Sequence, residues 1–100
     1  MVLLYITCKD KAEARKVSKL LLEKRLIACS NIHAIDSMYW WKGKLVDDKE
    51  YVVIGKTKKK NVKTIRVEVK KIHSYDVPCI MDIDVDANSD YLDWVRKEVK

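Results

Sequence analysis

Hydrophobic periods of two and of about 3.6 residues succeed one another along this chain in the order β-α-β-β-α-β, with a further helical stretch at the C-terminus. Together they predict an α+β sandwich. Two more observations set its scale. The chain has 100 residues, enough for one domain (residues 1–100) and too few for two. Its 48% apolar content supplies one core, since a chain of this size removes roughly 60–70% of its extended surface from water on folding.

Val2–Thr7 is a short apolar run rich in strand formers and reads as a buried strand. Asp10 then offers a helix N-cap, with Glu13 three residues on in capping-box position. Ala14, Val17, Leu20 and Leu21 recur at helical spacing among Lys16, Lys19, Glu23 and Lys24, which predicts an amphipathic helix over Lys11–Lys24. Ile27–Trp41 has no helical period and many strand formers, so it reads as a long strand with a bend near Asp36. Lys42–Gly43–Lys44 supplies a hairpin turn, and Glu50–Thr57 the partner strand. Gly55 inside that strand predicts a bulge or a close backbone approach.

The period changes again after Thr57. Val62, Ile65, Val69 and Ile72 fall at helical spacing, opposed by Lys59, Lys63, Arg66 and Lys70, so a helix is expected over Lys58–Ile72. Pro78 biases Val77 away from helix and makes His73–Pro78 a loop. Cys79–Asp86 alternates, with Met81, Ile83 and Val85 expected inward and Asp82, Asp84 and Asp86 outward. Asn88 or Ser89 caps a last helix carrying Leu92, Val95 and Val99. Two βα halves around a hairpin match the ferredoxin-like split βαβ arrangement. The hairpin strands exceed the five or six residues usual in a small sheet, and exposed strand edges invite pairing. With Tyr39, Trp40 and Trp41 concentrated there, an obligate oligomer is expected.

Composition narrows the function classes. Two Gly and one Pro exclude collagen, flexible linkers and low-complexity disorder. No apolar run approaches the ~20 residues of a membrane-spanning helix, and the first residues lack the basic region of a secretory signal. Cys8, Cys29 and Cys79 are odd in number and widely spaced. That argues for reduced thiols and a cytoplasmic location rather than a disulfide framework. The net charge of +6 permits an acidic partner without demanding one. The Lys56–Lys71 segment is rich in Lys, but it has neither stacking aromatics nor a reading motif, so a solvated helix face is expected instead of nucleic-acid binding. Asp82, Asp84, Asp86, Asn88, Asp90 and Asp93 imitate a calcium loop only superficially. Ala87 stands where that loop needs Gly, and Asp93 where it needs a bidentate Glu. No nucleophile elbow, phosphate loop or dinucleotide fingerprint is present, so no enzymatic activity is expected.

An ordered set of segments carries a resemblance. Arg25-Leu26-Ile27-Ala28-Cys29-Ser30-Asn31 follows the first helix, and Tyr39-Trp40-Trp41-Lys42-Gly43-Lys44 forms the hairpin. Glu50, Lys56-Thr57, His73-Ser74-Tyr75-Asp76-Val77-Pro78 and Tyr91-Leu92-Asp93-Trp94 follow in turn. Together these resemble the CutA divalent-cation-tolerance family nearly end to end. The resemblance implies a ferredoxin-like subunit whose long hairpin serves a homotrimer, a likeness in shape to PII signalling proteins, and a role in tolerance of copper and other divalent metals.

The candidate ligand cleft comprises Asn31, Tyr39, Trp40, Glu50, Lys56, His73 and Tyr75. Imidazole suits copper or zinc, and carboxylate or thiolate can add to it. His73 and Cys79 form the only local ligand pair, with Cys8 expected near the His73 loop, so a weak intersubunit metal site is one reading. A small anion or metabolite held by Lys56, His73 and Tyr75 in a PII-like scaffold trimer is the alternative, with no direct metal role. A polar network that merely locks the trimer is a third. His33, flanked by Ile32 and Ala34, reads as a strand residue. No obligatory cofactor is expected, a divalent ion such as copper being an optional ligand, and no membrane partner.

Overall fold

The computed structural model describes every residue, Met1–Lys100. Its elements are β1 (Val2–Cys8), α1 (Lys11–Glu23), β2 (Cys29–Trp41), β3 (Lys44–Thr57), α2 (Val62–Ile72), β4 (Ile80–Asp84) and α3 (Ser89–Glu98). The strands form one antiparallel sheet in the order β2-β3-β1-β4. This is the ferredoxin-like arrangement, with the C-terminal helix added.

β1 alternates as expected. Val2, Leu4, Ile6 and Cys8 are buried beneath α1 and α2, where they meet Ala14, Val17, Leu21, Ile65 and Val69 in one core. The Asp10 carboxylate accepts the Glu13 N–H at 2.8 Å, so the cap forms. α1 ends with Arg25 at φ 57°, a left-handed residue that lets the Leu26 N–H return to the Leu21 carbonyl. Gly55 is the close approach rather than a bulge. Pairing runs through it without interruption, and an added Cβ would stand 3.4 Å from Ile27 and Leu4 side chains.

The hairpin is longer and straighter than expected. β2 is continuous through Asp36, and β3 begins at Lys44 rather than Glu50. The segment Lys44–Lys49 is too charged to look like a strand on its own; pairing with β2 imposes the conformation. The turn is the two residues Lys42 and Gly43, both at positive φ (49° and 77°), which matches the strand twist. β1 reaches only to Tyr51, so the pairs from Ile35↔Glu50 to Trp41↔Lys44 project beyond the sheet as a two-stranded ribbon. The ribbon stretches the molecule to 45 × 25 × 21 Å.

The helix expected from Lys58 opens with a 3-10 turn, Lys59–Asn61, before α2. The larger correction concerns β4, which spans Ile80–Asp84 rather than Cys79–Asp86 and has the opposite parity. Ile80 pairs with Ile6 and is buried, while Met81 and Ile83 are 46% and 49% exposed. Asp82 turns toward α2, where Arg66 holds it at 2.6 Å and Lys59 at 2.6 Å. Alternation in the sequence fixes which residues share a face. The register against β1 decides which face is covered. The sheet face away from α1 and α2 therefore presents Met81 and Ile83. α3 closes the lower end through buried Val95 and Val99, and Arg25 bonds Glu98 at 2.7 Å.

Candidate functional site

The loop leaving α2 is pinned to the start of α1. His73 closes α2 and its side chain is fully buried. Its Nδ1 accepts the Tyr75 N–H at 3.1 Å, which leaves the ring proton on Nε2, donated to the Thr7 carbonyl at 2.8 Å. Glu13 works beside it. Its Oε1 accepts the Lys9 N–H at 3.0 Å, and its Oε2 accepts the Ser74 N–H at 2.9 Å. Burial acts to raise the Glu13 pKa, but the Lys9 and Ser74 donors and nearby His73 outweigh it and hold the carboxyl below its usual range.

Cys8, Glu13 and His73 bring a thiol, a carboxylate and an imidazole within 4.8 Å of one another. The expected approach of Cys8 to the His73 loop therefore occurs, with Glu13 rather than Cys79 as third member. The donor types suit copper or zinc, and two of the three also hold the backbone. Both His73 nitrogens and both Glu13 oxygens bond the backbone. Burial first, then Glu13, Glu50 and Asp10, push the Cys8 thiol up to about 12. As placed, the cluster fastens the loop to α1, and a metal there would replace the His73–Thr7 bond and the Cys8 thiol proton. Native Cys8 is accordingly expected to resist iodoacetamide at pH 7.5 while half-buried Cys29 and Cys79 are alkylated, read by peptide mass spectrometry; preferential labelling of Cys8 would contradict the assignment.

The fastened loop carries Tyr75 to the base of the ribbon, where its hydroxyl donates to Glu50 Oε2 at 2.6 Å. The His73 and Tyr75 rings pack at 4.9 Å. Beside this pair opens a cleft of about 710 Å³. Tyr39, Trp41 and Met38 line it from β2, Tyr75, Asp76 and Val77 from the loop, and Thr7 and Cys79 from the floor. Asp36 stands at the outer rim, already paired with Lys49 at 3.2 Å. No lysine or arginine lines the cleft, although the whole chain carries +6.

Glu50 is the centre of this environment. It is 5% exposed, and none of the nine ion pairs of the chain includes it. Its field reaches its neighbours: burial, then Glu50, raise the pKa of Tyr75, Tyr39 and Cys79.

Tyr39, Glu50, Tyr75 and Cys79 thus meet at one cleft, with His73 and Cys8 just behind it. Within one subunit Lys56 and Asn31 lie apart from it. They bond each other at the far end of β3, where Lys56 also lies 3.7 Å from Cys29 Sγ. Lys56 lies six positions along the strand from Glu50, about 20 Å. Trp40 also stays outside the lining and is 72% exposed. Sequence reasoning missed Trp41, Asp76 and the second task of Glu13. The parity of Tyr39 and Trp41 on one strand was the available signal for the first.

The fold and cleft define a class: a ferredoxin-like α+β subunit with an acidic, aromatic-walled cleft at the root of a long ribbon. The family model for the CutA1 divalent ion tolerance protein matches residues 2–98. The chain belongs to the CutA1 family. Its relatives include the divalent-cation tolerance protein CutA of Pyrococcus horikoshii, 45% identical with 100% of this chain and 99% of the relative covered, and that of Thermotoga maritima, 41% identical with 99% of each covered. The structure of the protein from Archaeoglobus fulgidus, described as a periplasmic divalent cation tolerance protein, superposes with a TM-score of 0.96 at 40% identity over 100% of both chains. The PII-like CutA of Nostoc superposes at 0.92 with 23% identity over 100% of this chain and 98% of that one, a likeness of fold.

Proposed function

We propose that this CutA1-family protein acts in divalent-cation tolerance as a non-enzymatic homotrimer that takes a metal ion such as copper at the cleft around Glu50. The observation that carries the reading is the buried Glu50 carboxylate, which has a hydroxyl partner but no cationic one. A cation at the oxygen that Tyr75 leaves open would supply the opposite charge that the subunit lacks there. Tyr75 leaves one Glu50 oxygen free. Asp76 and the Cys79 thiol stand in the same cleft as further donors. In this reading His73 positions Tyr75 and is not itself a ligand.

Assembly is supported by the ribbon and by the uncovered sheet face. Met38, Trp40, Trp41 and Leu45 at the ribbon tip and Met81 and Ile83 on the sheet are all at least 41% exposed. An isolated two-stranded ribbon is marginal in water and needs cover. The three unpaired thiols fit a reducing compartment, the cytoplasm. No helix is long and apolar enough to cross a membrane. The anion reading would need the Lys56 of another subunit, since within one subunit Lys56 bonds Asn31 away from the acidic cleft.

Calorimetric titration of copper(II) into tag-free protein without reductant tests the site. Saturable binding at one ion per subunit is expected, weakened at least about 10-fold in Glu50→Gln, with light scattering giving three times the 11.7 kDa chain mass. Binding that ignores Glu50→Gln, or a stable monomer, would overturn the proposal.

A further inference from the structure

We infer that Cys8, Glu13 and His73 form a second metal site, which takes a zinc-type dication inside each subunit. It shares no donor with the cleft around Glu50 and does not rest on that reading. Three observations lead there.

The first is the donor set. A thiol, a carboxylate and an imidazole lie within 4.8 Å of one another, and His73 Nε2 is 3.8 Å from Glu13 Oε1. Three protein donors of these kinds suit zinc and leave one of its four positions open. Each carboxylate oxygen has two lone pairs, so Glu13 Oε1 can keep the Lys9 N–H and still face an ion. The second is charge. A dication with one thiolate and one carboxylate sums to zero, so the loaded trio places no net charge in the interior. The third is position. Cys8 faces the helix side of the sheet with Leu4 and Ile6, opposite the face that presents Met81 and Ile83. One subunit encloses all three donors by itself, with Glu13 7% exposed and the His73 side chain fully buried. Assembly through the ribbon and the open sheet face therefore neither adds a donor nor covers one. Glu13 and Ser74 also line an outer depression of about 360 Å³, beside Lys16 and Ile72, which gives an ion its way in.

Loading exchanges a proton for the ion. The Cys8 proton leaves to solvent, and the ring proton on His73 Nε2 passes to Nδ1 as Nε2 takes the metal. The ring then releases the Thr7 carbonyl and turns a donor toward the Tyr75 N–H. The loop that holds Tyr75 against Glu50 shifts in response, so an ion at this site is felt in the cleft. Because the donors are buried, loading awaits local opening and is slower than the injections of a titration.

Reduced, metal-free protein would be incubated overnight with zinc(II) or cobalt(II), dialysed and assayed for retained metal. One ion per chain is expected, with a thiolate-to-cobalt charge-transfer band. Both should be lost in Cys8→Val, which keeps an apolar side chain at a buried position and whose fold circular dichroism checks. Nitrogen-15 NMR of the wild-type imidazoles needs no variant. On zinc binding His73 should pass from the Nε2–H to the Nδ1–H tautomer, and His33 is the only other histidine to resolve. Retained metal with an unchanged His73 tautomer, or a band that survives Cys8→Val and falls in Cys79→Ser, would place the ion in the Glu50 cleft. Either result would overturn this inference and spare the proposed function. No retained metal would overturn it as well, while the copper titration with Glu50→Gln decides the cleft separately.

Discussion

Glu13→Ala is expected to destabilise the fold by about 3 kcal/mol, the sum of two charge-assisted bonds to backbone donors that would be left without partners. The carboxylate joins the Lys9 N–H before α1 to the Ser74 N–H after α2, so its loss frees the loop that positions Tyr75. Glu13→Gln should recover little. Both oxygens face N–H donors, and an amide turns an NH₂ toward one of them. The pH dependence follows from the direction of the shift. The folded pKa lies below the ordinary 4.5, so the stabilisation is complete above pH 4.5 and fades as pH falls through the folded value. Acid titration of urea stability should therefore show a shallower acid limb in Glu13→Gln than in wild type. Parallel curves for the two proteins would mean that Glu13 bears no such load.

The double substitution Met81→Glu with Ile83→Lys is expected to convert the proposed trimer into monomer at micromolar concentration, read by light scattering. Both side chains stand on the uncovered sheet face, 46% and 49% exposed, so the isolated subunit has no packing reason to reject them. Taking two charges out of water into an apolar interface costs several kcal/mol per subunit even where they face each other, and the cost is repeated at each contact. Circular dichroism should retain the helix and strand signals. A trimer of undiminished stability would locate the interface elsewhere and would weaken the argument from this face.

The same two residues show where sequence reading stops. Their alternation with Asp82 and Asp84 was visible, but it assigned them to the core. The correct parity depends on Ile80 meeting Ile6 across more than 70 residues of chain, and on Arg66 and Lys59 waiting above Asp82. Local periodicity holds no information about either. The element order, the Asp10 cap and the Lys42-Gly43 turn were legible because each is decided within a few residues. The cleft was half legible. Tyr39, Glu50 and Tyr75 meet within one subunit, whereas Lys56 stands at the other end of β3, where only another subunit could bring it to such a cleft. Glu13 looked like a cap residue and is one in part; its bond to Ser74, 61 residues away, has no sequence signature.

The ribbon also bears on the order of assembly during folding. Its strands close through a two-residue loop, so their contacts are local and cheap in chain entropy, and can form early. β1 must wait for β3 and β4, whose partners lie some 50 and 80 positions along the chain. An early ribbon displays Met38, Trp40, Trp41 and Leu45 before any second copy has arrived. Refolding should then have a phase that accelerates with protein concentration, in which productive docking competes with aggregation through the same tip. Slow addition of denatured chain into dilute buffer, followed by concentration, would favour monomer folding first and docking second.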